Sequence, residues 1–224
     1  MAWIVDTATM LEGHTMNEIV TGKPITLGGS LGRKEATGRG VAIVTNELLK
    51  RVGKDIKETT AAIQGFGNVG ASAAVILDQM GAKIIAVSDI SGGLYSPAGL
   101  DIPAIYAHVE KNPKHLLEGY SAKGVTPMSN EELLLCDVDV LIPAALEQQI
   151  RGDNAGQVRA KYIVEAANGP TTRDADAILQ ERGVIVVPDI LANAGGVVVS
   201  YLEWVQNLQA LFWEEGEVNA KMQS

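Results

Sequence analysis

The run Ala61-Ala62-Ile63-Gln64-Gly65-Phe66-Gly67-Asn68-Val69-Gly70, which resumes at once as Ala71-Ser72-Ala73-Ala74-Val75-Ile76-Leu77, constrains this chain more than any other segment. An apolar strand breaks into G-x-G-x-x-G and continues as an apolar helix. That order turns a helix N-terminus toward a pyrophosphate. The first glycine permits a tight turn, the second a close approach of backbone to phosphate, and the third close packing of helix on strand. Free N–H groups and the positive end of the helix dipole then favour an anion. Gly65, Phe66, Gly67, Asn68, Val69 and Gly70 are therefore the candidate cradle of a dinucleotide.

With glycine at 24 of 224 residues, the bare spacing would arise by chance roughly 0.3 times, so context must carry the reading. A second apolar run, Lys83-Ile84-Ile85-Ala86-Val87-Ser88, ends in Asp89, 24 positions after Gly65. An acidic side chain at such a strand end meets the adenosine ribose hydroxyls. The competing reading is an ordinary glycine-rich turn, with Asp89 capping a helix or turn.

A net charge of −9 with no Lys/Arg-rich run argues against nucleic acid and anionic membrane as partners. A phosphate ligand would then be held by backbone amides rather than by a basic patch. No apolar stretch approaches a bilayer span, and Asp6, Glu12 and Glu18 interrupt the N-terminus where a signal peptide needs an apolar centre. The single Cys136, among Leu133, Leu134, Leu135 and Val138, reads as a buried thiol in a reducing cytoplasm. His14, His108 and His115 fall at no metal-ligand spacing, so no metal site is expected.

An apolar content of 46% with only 4% aromatic fits an aliphatic-rich α/β protein, and 224 residues can bury one full core. The pattern predicts a helix from Trp3 to about Val20 ended by Gly22-Lys23-Pro24, a glycine-rich connector over 27–35, and a helix from Ala36 to Val52. Apolar strands are expected at 61–66, 83–88, 138–142, 162–164 and 184–187, with helices at 68–80 and 172–179. Residues 91–93 and 96–99 read as turns, and 102–135 as a polar helical excursion. Five short strands alternating with helices predict a Rossmann-type, doubly wound, mostly parallel sheet with helices on both faces. One long helix is expected from Ala194 onward, its apolar stripe, including Trp204, Phe212 and Trp213, wider than one sheet face covers. The run 218–224 carries no stop signal and reads as truncated. The expected organisation is a single domain: a helical and connector segment 1–55, a core 56–193, and the helix 194–224.

Together with the glycine fingerprint, four further segments resemble the glutamate dehydrogenase family. They are Gly28-Gly29-Ser30-Leu31-Gly32-Arg33-Lys34-Glu35-Ala36-Thr37-Gly38-Arg39-Gly40, Pro143-Ala144-Ala145-Leu146, Glu165-Ala166-Ala167-Asn168-Gly169-Pro170-Thr171-Thr172, and Pro188-Asp189-Ile190-Leu191-Ala192-Asn193-Ala194-Gly195-Gly196 running into Val199-Ser200-Tyr201-Leu202-Glu203-Trp204. In order and spacing they cover nearly the whole chain. The resemblance implies NAD or NADP as cofactor and, in an intact parent, oxidative deamination of L-glutamate to 2-oxoglutarate and ammonia. Family members carry their catalytic lysine and aspartate on an N-terminal domain, and Lys34 matches the connector rather than that catalytic segment. The implied reading is the cofactor-binding domain alone, without catalytic residues of its own and inactive by itself. It would be a monomer or weak dimer, where intact family members are commonly homohexamers.

The same resemblance implies that Thr37 contacts the nicotinamide carboxamide, Asn68 the dinucleotide, and Asn168 the nicotinamide half. It implies that Ala144 and Ala145 leave room at a strand end, and it counts Asn193 with the cofactor contacts. Ser200 would bond the far carboxylate of glutamate, with Val197 lining that pocket. Each has a plain structural alternative: Thr37 and Asn68 satisfying helix N-terminal amides, Asn168 forming a turn, Ser200 bonding back to a carbonyl one turn earlier. The residues after Gly196 follow the glutamate type rather than that of relatives acting on leucine, valine or phenylalanine. Asp89 does not decide between NAD and NADP. Two other readings stay open: a non-catalytic dinucleotide-binding module, and the cofactor domain of a branched-chain or aromatic amino-acid dehydrogenase.

Overall fold

The computed structural model describes residues 1–223. Seven strands form one sheet: β1 (Thr60–Gln64), β2 (Lys83–Asp89), β3 (Gly92–Tyr95), β4 (Thr126–Met128), β5 (Val140–Pro143), β6 (Tyr162–Val164) and β7 (Ile185–Val187), in the order β4-β3-β2-β1-β5-β6-β7. The five strands expected from the sequence, β2-β1-β5-β6-β7, are the parallel ones. They read as continuous apolar runs because both faces are covered. Ala61 and Ile63 pack into one core with the helices α2 (Ala36–Arg51), α3 (Asn68–Gln79) and α4 (Ile102–Lys111), while Ala62 faces a second core with α5 (Asn130–Leu134) and α6 (Arg173–Glu181). The two aspartates of α6, Asp174 and Asp176, lie in its first turn, where the dipole favours them.

The structure departs from the sequence pattern in three places. The first helix, α1 (Ala2–Glu12), stops short of Val20 because Gly13 takes φ 72 and its amide closes onto the Thr9 carbonyl. The segment read as turn and helical excursion contributes β3 and β4, which pair antiparallel at one side of the sheet. Pro127 lies in β4, on the sheet's outer edge, where a missing donor costs least.

The expected single C-terminal helix is two, α8 (Gly195–Leu208) and α9 (Glu215–Gln223), following the short α7 (Asp189–Ala192). Nothing in the sequence stops α8; Gln206 does. This buried side chain accepts the Trp213 amide at 2.8 Å and its backbone carbonyl accepts the Leu211 amide, with Ala210 at φ 53. Folding α9 back buries Val218 against Ala36, Val199 and Leu202. The last residue of the run expected as helix, Ser224, lies outside the described residues. Val197, Tyr201, Trp204 and Leu208 remain exposed on the opposite face of α8.

Two charged clusters hold the framework. The side chains of Lys23, just ahead of the 27–35 connector, and Glu203, on α8, are 0% and 1% exposed and meet at 2.5 Å. Glu203 also accepts the amides of Gly22 and Lys23, and Lys23 donates to the Val20 carbonyl, so the pair is well satisfied. At the base of the sheet, Asp139 joins β1 to β5: its carboxylate accepts from the amide and hydroxyl of Thr60 and from Lys54 and Lys161.

Burial alone would push the Asp139 carboxyl up. The Lys54 ammonium, the Thr60 amide and the Lys161 ammonium outweigh it and hold the pKa down to about 2. A depressed carboxylate stabilises the fold above its unfolded pKa, and that contribution is lost as pH falls from 3.8 toward about 2. Asp139→Asn should lower stability by about 1–2 kcal/mol at neutral pH, the solvent exposure of both lysines keeping it at that level. Urea denaturation at neutral and acid pH checks this, the difference between variant and wild type vanishing in acid.

Candidate functional site

β1 leads one way to β2, while β5 begins on its other side, so a crevice opens above the carboxyl ends of β1 and β5. Open α/β sheets bind ligands at such a switch point. The chain leaves β1 through Gly65, at φ 94, packed so close to Ala144 that a side-chain carbon would sit 2.8 Å from its backbone. At Gly70 the same carbon would sit 1.8 Å from the Gly65 carbonyl oxygen. Gly67 differs: nothing lies within 4 Å of where its side chain would be. It is exposed, and so is Asn68.

α3 begins here without a side-chain cap, as α1, α2, α6, α7 and α8 also do, whereas Asp101 caps α4 and Ser129 caps α5 in a capping box. Among the described residues nothing accepts its first-turn amides, and Gly67 just before them is unobstructed, as anion binding requires. Asn68 is the first helical residue and makes no capping bond; Thr37, second in α2, makes none either. The ordinary structural roles considered for both are not taken up.

A cavity of about 750 Å³ lies beside this turn. It brings together Thr37, Val69, Ala144, Ala145, Asn168, Asn193, Val197 and Ser200, which the sequence distributes over the whole chain. Its floor exists because α2 and α8 cross at glycines: a side chain on Gly195 would meet the Ala36 carbonyl oxygen at 2.1 Å. A side-chain carbon on Gly196 would lie 2.7 Å from the Thr37 hydroxyl and 3.5 Å from the Arg33 guanidinium. Asn193 donates to Asn168 at 2.7 Å across the rim. Ser200 makes no bond back to its own helix, so its hydroxyl is available to the cavity.

Phe66, Gly67 and Asn68 border a separate cavity of about 320 Å³ on the side of α4. Gly65 and Gly70 are buried beneath the turn. Asp89 borders neither cavity. Its carboxylate accepts from the Ser91 amide and hydroxyl and from the Leu117 amide, closing the β2–β3 hairpin. Sequence reasoning gave Arg33 no role, yet it lines the larger cavity with no carboxylate partner among the described residues, its Nε buried and unbonded. Its place in the Gly28–Gly40 motif was the only available signal. Cys136 is half-buried, and burial pushes its thiol up, with Glu132 adding to the effect, so it is no activated nucleophile.

The fold is therefore of the Rossmann type, with a switch-point crevice, an uncapped helix start and an adjoining cavity walled by α2 and α8. Residues 28–224 match the model of the Glutamate/Leucine/Phenylalanine/Valine dehydrogenase family, and the chain belongs to that family. It is 54% identical over 219 residues to glutamate dehydrogenase A2 of Halobacterium salinarum, covering 98% of this chain and 52% of that one. To an NAD-specific glutamate dehydrogenase A of the same organism it is 49% identical, covering 100% of this chain and 50% of the relative. The hetero-hexameric glutamate dehydrogenase from Thermus thermophilus, in a Leu-bound form, superposes with a TM-score of 0.87 at 39% identity, over 99% of this chain and 51% of that one. The chain thus spans about half the length of the relatives it matches. No described helix is long and apolar enough to cross a membrane.

The two outer glycines and the middle one should respond differently to a methyl group. Gly67→Ala is expected to melt with the wild type, whereas Gly70→Ala should lose about 3 kcal/mol or more through the clash with Gly65. Thermal and urea unfolding of the pair measures this directly.

Proposed function

We propose that this chain is the dinucleotide-binding half of a glutamate dehydrogenase. The observation that carries the reading is the uncapped start of α3 above an unobstructed Gly67, beside a cavity that holds an unpaired arginine and a free serine hydroxyl. A bound nicotinamide dinucleotide would supply the acceptor for hydride leaving the α-carbon of an amino acid. The chain's own residues bind and orient. The amides of α3 hold the pyrophosphate, Thr37, Asn168 and Asn193 meet the nicotinamide end, and Ala144 and Ala145 leave room for it.

Arg33 and Ser200 support glutamate as the substrate. Glu147 also lines the cavity, but no described carboxylate forms an ion pair with Arg33, and a cation so placed suits an incoming carboxylate. A serine with no internal bond can donate to the far end of the same molecule, and a site built to bond a polar group rejects analogues lacking it. The acid–base groups belong to the half of the enzyme that the relatives' greater length accounts for. On this reading these 224 residues alone bind cofactor and turn over essentially no glutamate, and addition of the other half restores activity. A non-catalytic module would gain none. The lone Cys136 fits a reducing, cytoplasmic setting.

Calorimetric titration with NAD and NADP in parallel tests cofactor binding and preference together. Saturable binding of at least one is expected, weakened about tenfold or more in Gly67→Ala; no binding of either would overturn the proposal. In the full-length protein, Ser200→Ala should cost about tenfold to a hundredfold in kcat/KM for glutamate, the value of a hydrogen bond to a charged group. Indifference to that change would favour a branched-chain or aromatic substrate.

A further inference from the structure

The loop that follows β6 contains an arrangement that the dinucleotide reading leaves unused. Glu165, the first residue past the strand, is 7% exposed, and its carboxylate accepts the Asp189 amide at 3.0 Å. Asp189 in turn accepts the Gly169 amide at 2.8 Å through one oxygen and the Ile190 amide at 2.6 Å through the other. Two carboxylates in series thus stitch the loop to the start of α7. On its far side the loop is held by the Gly169 and Pro170 carbonyls, which accept from the amides of Gln148, Gln149 and Ile150. Asn168 stands at the tip, receiving the Asn193 amide at the cavity rim.

A buried carboxylate is a costly way to accept one amide when no cation neutralises it. No ion pair reaches Glu165; the ionisable groups that act on it are Asp189 from α7 and Asp176 from α6, with the Thr171 hydroxyl alongside. Burial first, then those two carboxylates, push its pKa up, and the hydroxyl and the Asp189 amide offset this only in part. The cost is explained if the loop's position matters to the site.

We infer that Glu165 is a positioning residue: acting through Asp189, it sets the loop 166–170 and so presents the Asn168–Asn193 pair to the nicotinamide end of a bound dinucleotide. The inference rests on the dinucleotide reading above. An ionised carboxylate is a stronger acceptor than its protonated form. The brace therefore weakens as pH falls through the raised pKa of Glu165, and cofactor affinity weakens with it.

Three forms of the chain test this: wild type, Glu165→Gln and Asp189→Ala, titrated with NAD and NADP from neutral pH down into the carboxylate range. Asp189 is partly exposed, so its removal cuts the brace without opening the core. Asp189→Ala should bind about tenfold more weakly and exchange the Gly169 amide hydrogen faster, with melting little changed. Glu165→Gln keeps an acceptor but cannot ionise. It should bind more weakly than the wild type at neutral pH, near the level the wild type reaches in acid, and lack part of the weakening that acid produces in the wild type. Unchanged affinity and exchange in Asp189→Ala, or an identical acid profile in Glu165→Gln, overturns the inference while wild-type binding stands. Failure of the wild type to bind overturns the dinucleotide reading itself.

Discussion

Helix α3 lies against the exit of β1 so closely that Gly70 has no room for a side chain above the Gly65 carbonyl. The rest of the site follows from that contact. With the helix pressed onto the strand end, its first amides lie at the carboxyl ends of β1 and β5, where no described group accepts them. α2 approaches α3 in the same way, since a side chain on Gly38 would come within 2.6 Å of Ser72, and α8 approaches α2 at Gly40 and Gly195. Backbone meeting backbone at three places fixes the walls of the crevice more tightly than side-chain packing could, because no rotamer can give way.

The parallel half of the sheet was legible because strands buried on both faces must be apolar throughout, and only such runs separate cleanly from amphipathic helices. β3 and β4 escaped because their glycines and proline are the residues that mark turns; β4, at the edge, tolerates its proline, and β3 lies just inside it. The break between α8 and α9 escaped for a different reason. It is imposed by Gln206, whose side chain captures an amide seven residues ahead, and by the burial of Val218, neither of which local sequence shows.

The site divides along the same line. Residues at strand ends and helix starts, such as Gly67, Ala144 and Asn168, could be placed because topology puts them at the crevice. Arg33 could not, because what distinguishes it is a place on the cavity wall without a described carboxylate partner, a property of space rather than of order along the chain. Asp89 was found at its strand end but directs its carboxylate into the β2–β3 hairpin, so an acid at that position does not by itself disclose its duty. Among the described residues other cations also stand outside the ion pairs, so Arg33 is set apart by where it lies rather than by want of a partner alone.

The buried pair of Lys23 and Glu203 joins residues 180 positions apart, and neither can stay in the interior without the other. During synthesis the lysine leaves the ribosome long before the glutamate exists. The segment that carries it must wait, solvated and unfixed, until α8 has emerged to receive it. The stretch from Val20 to Lys23 is therefore among the last parts of this fold to take its place.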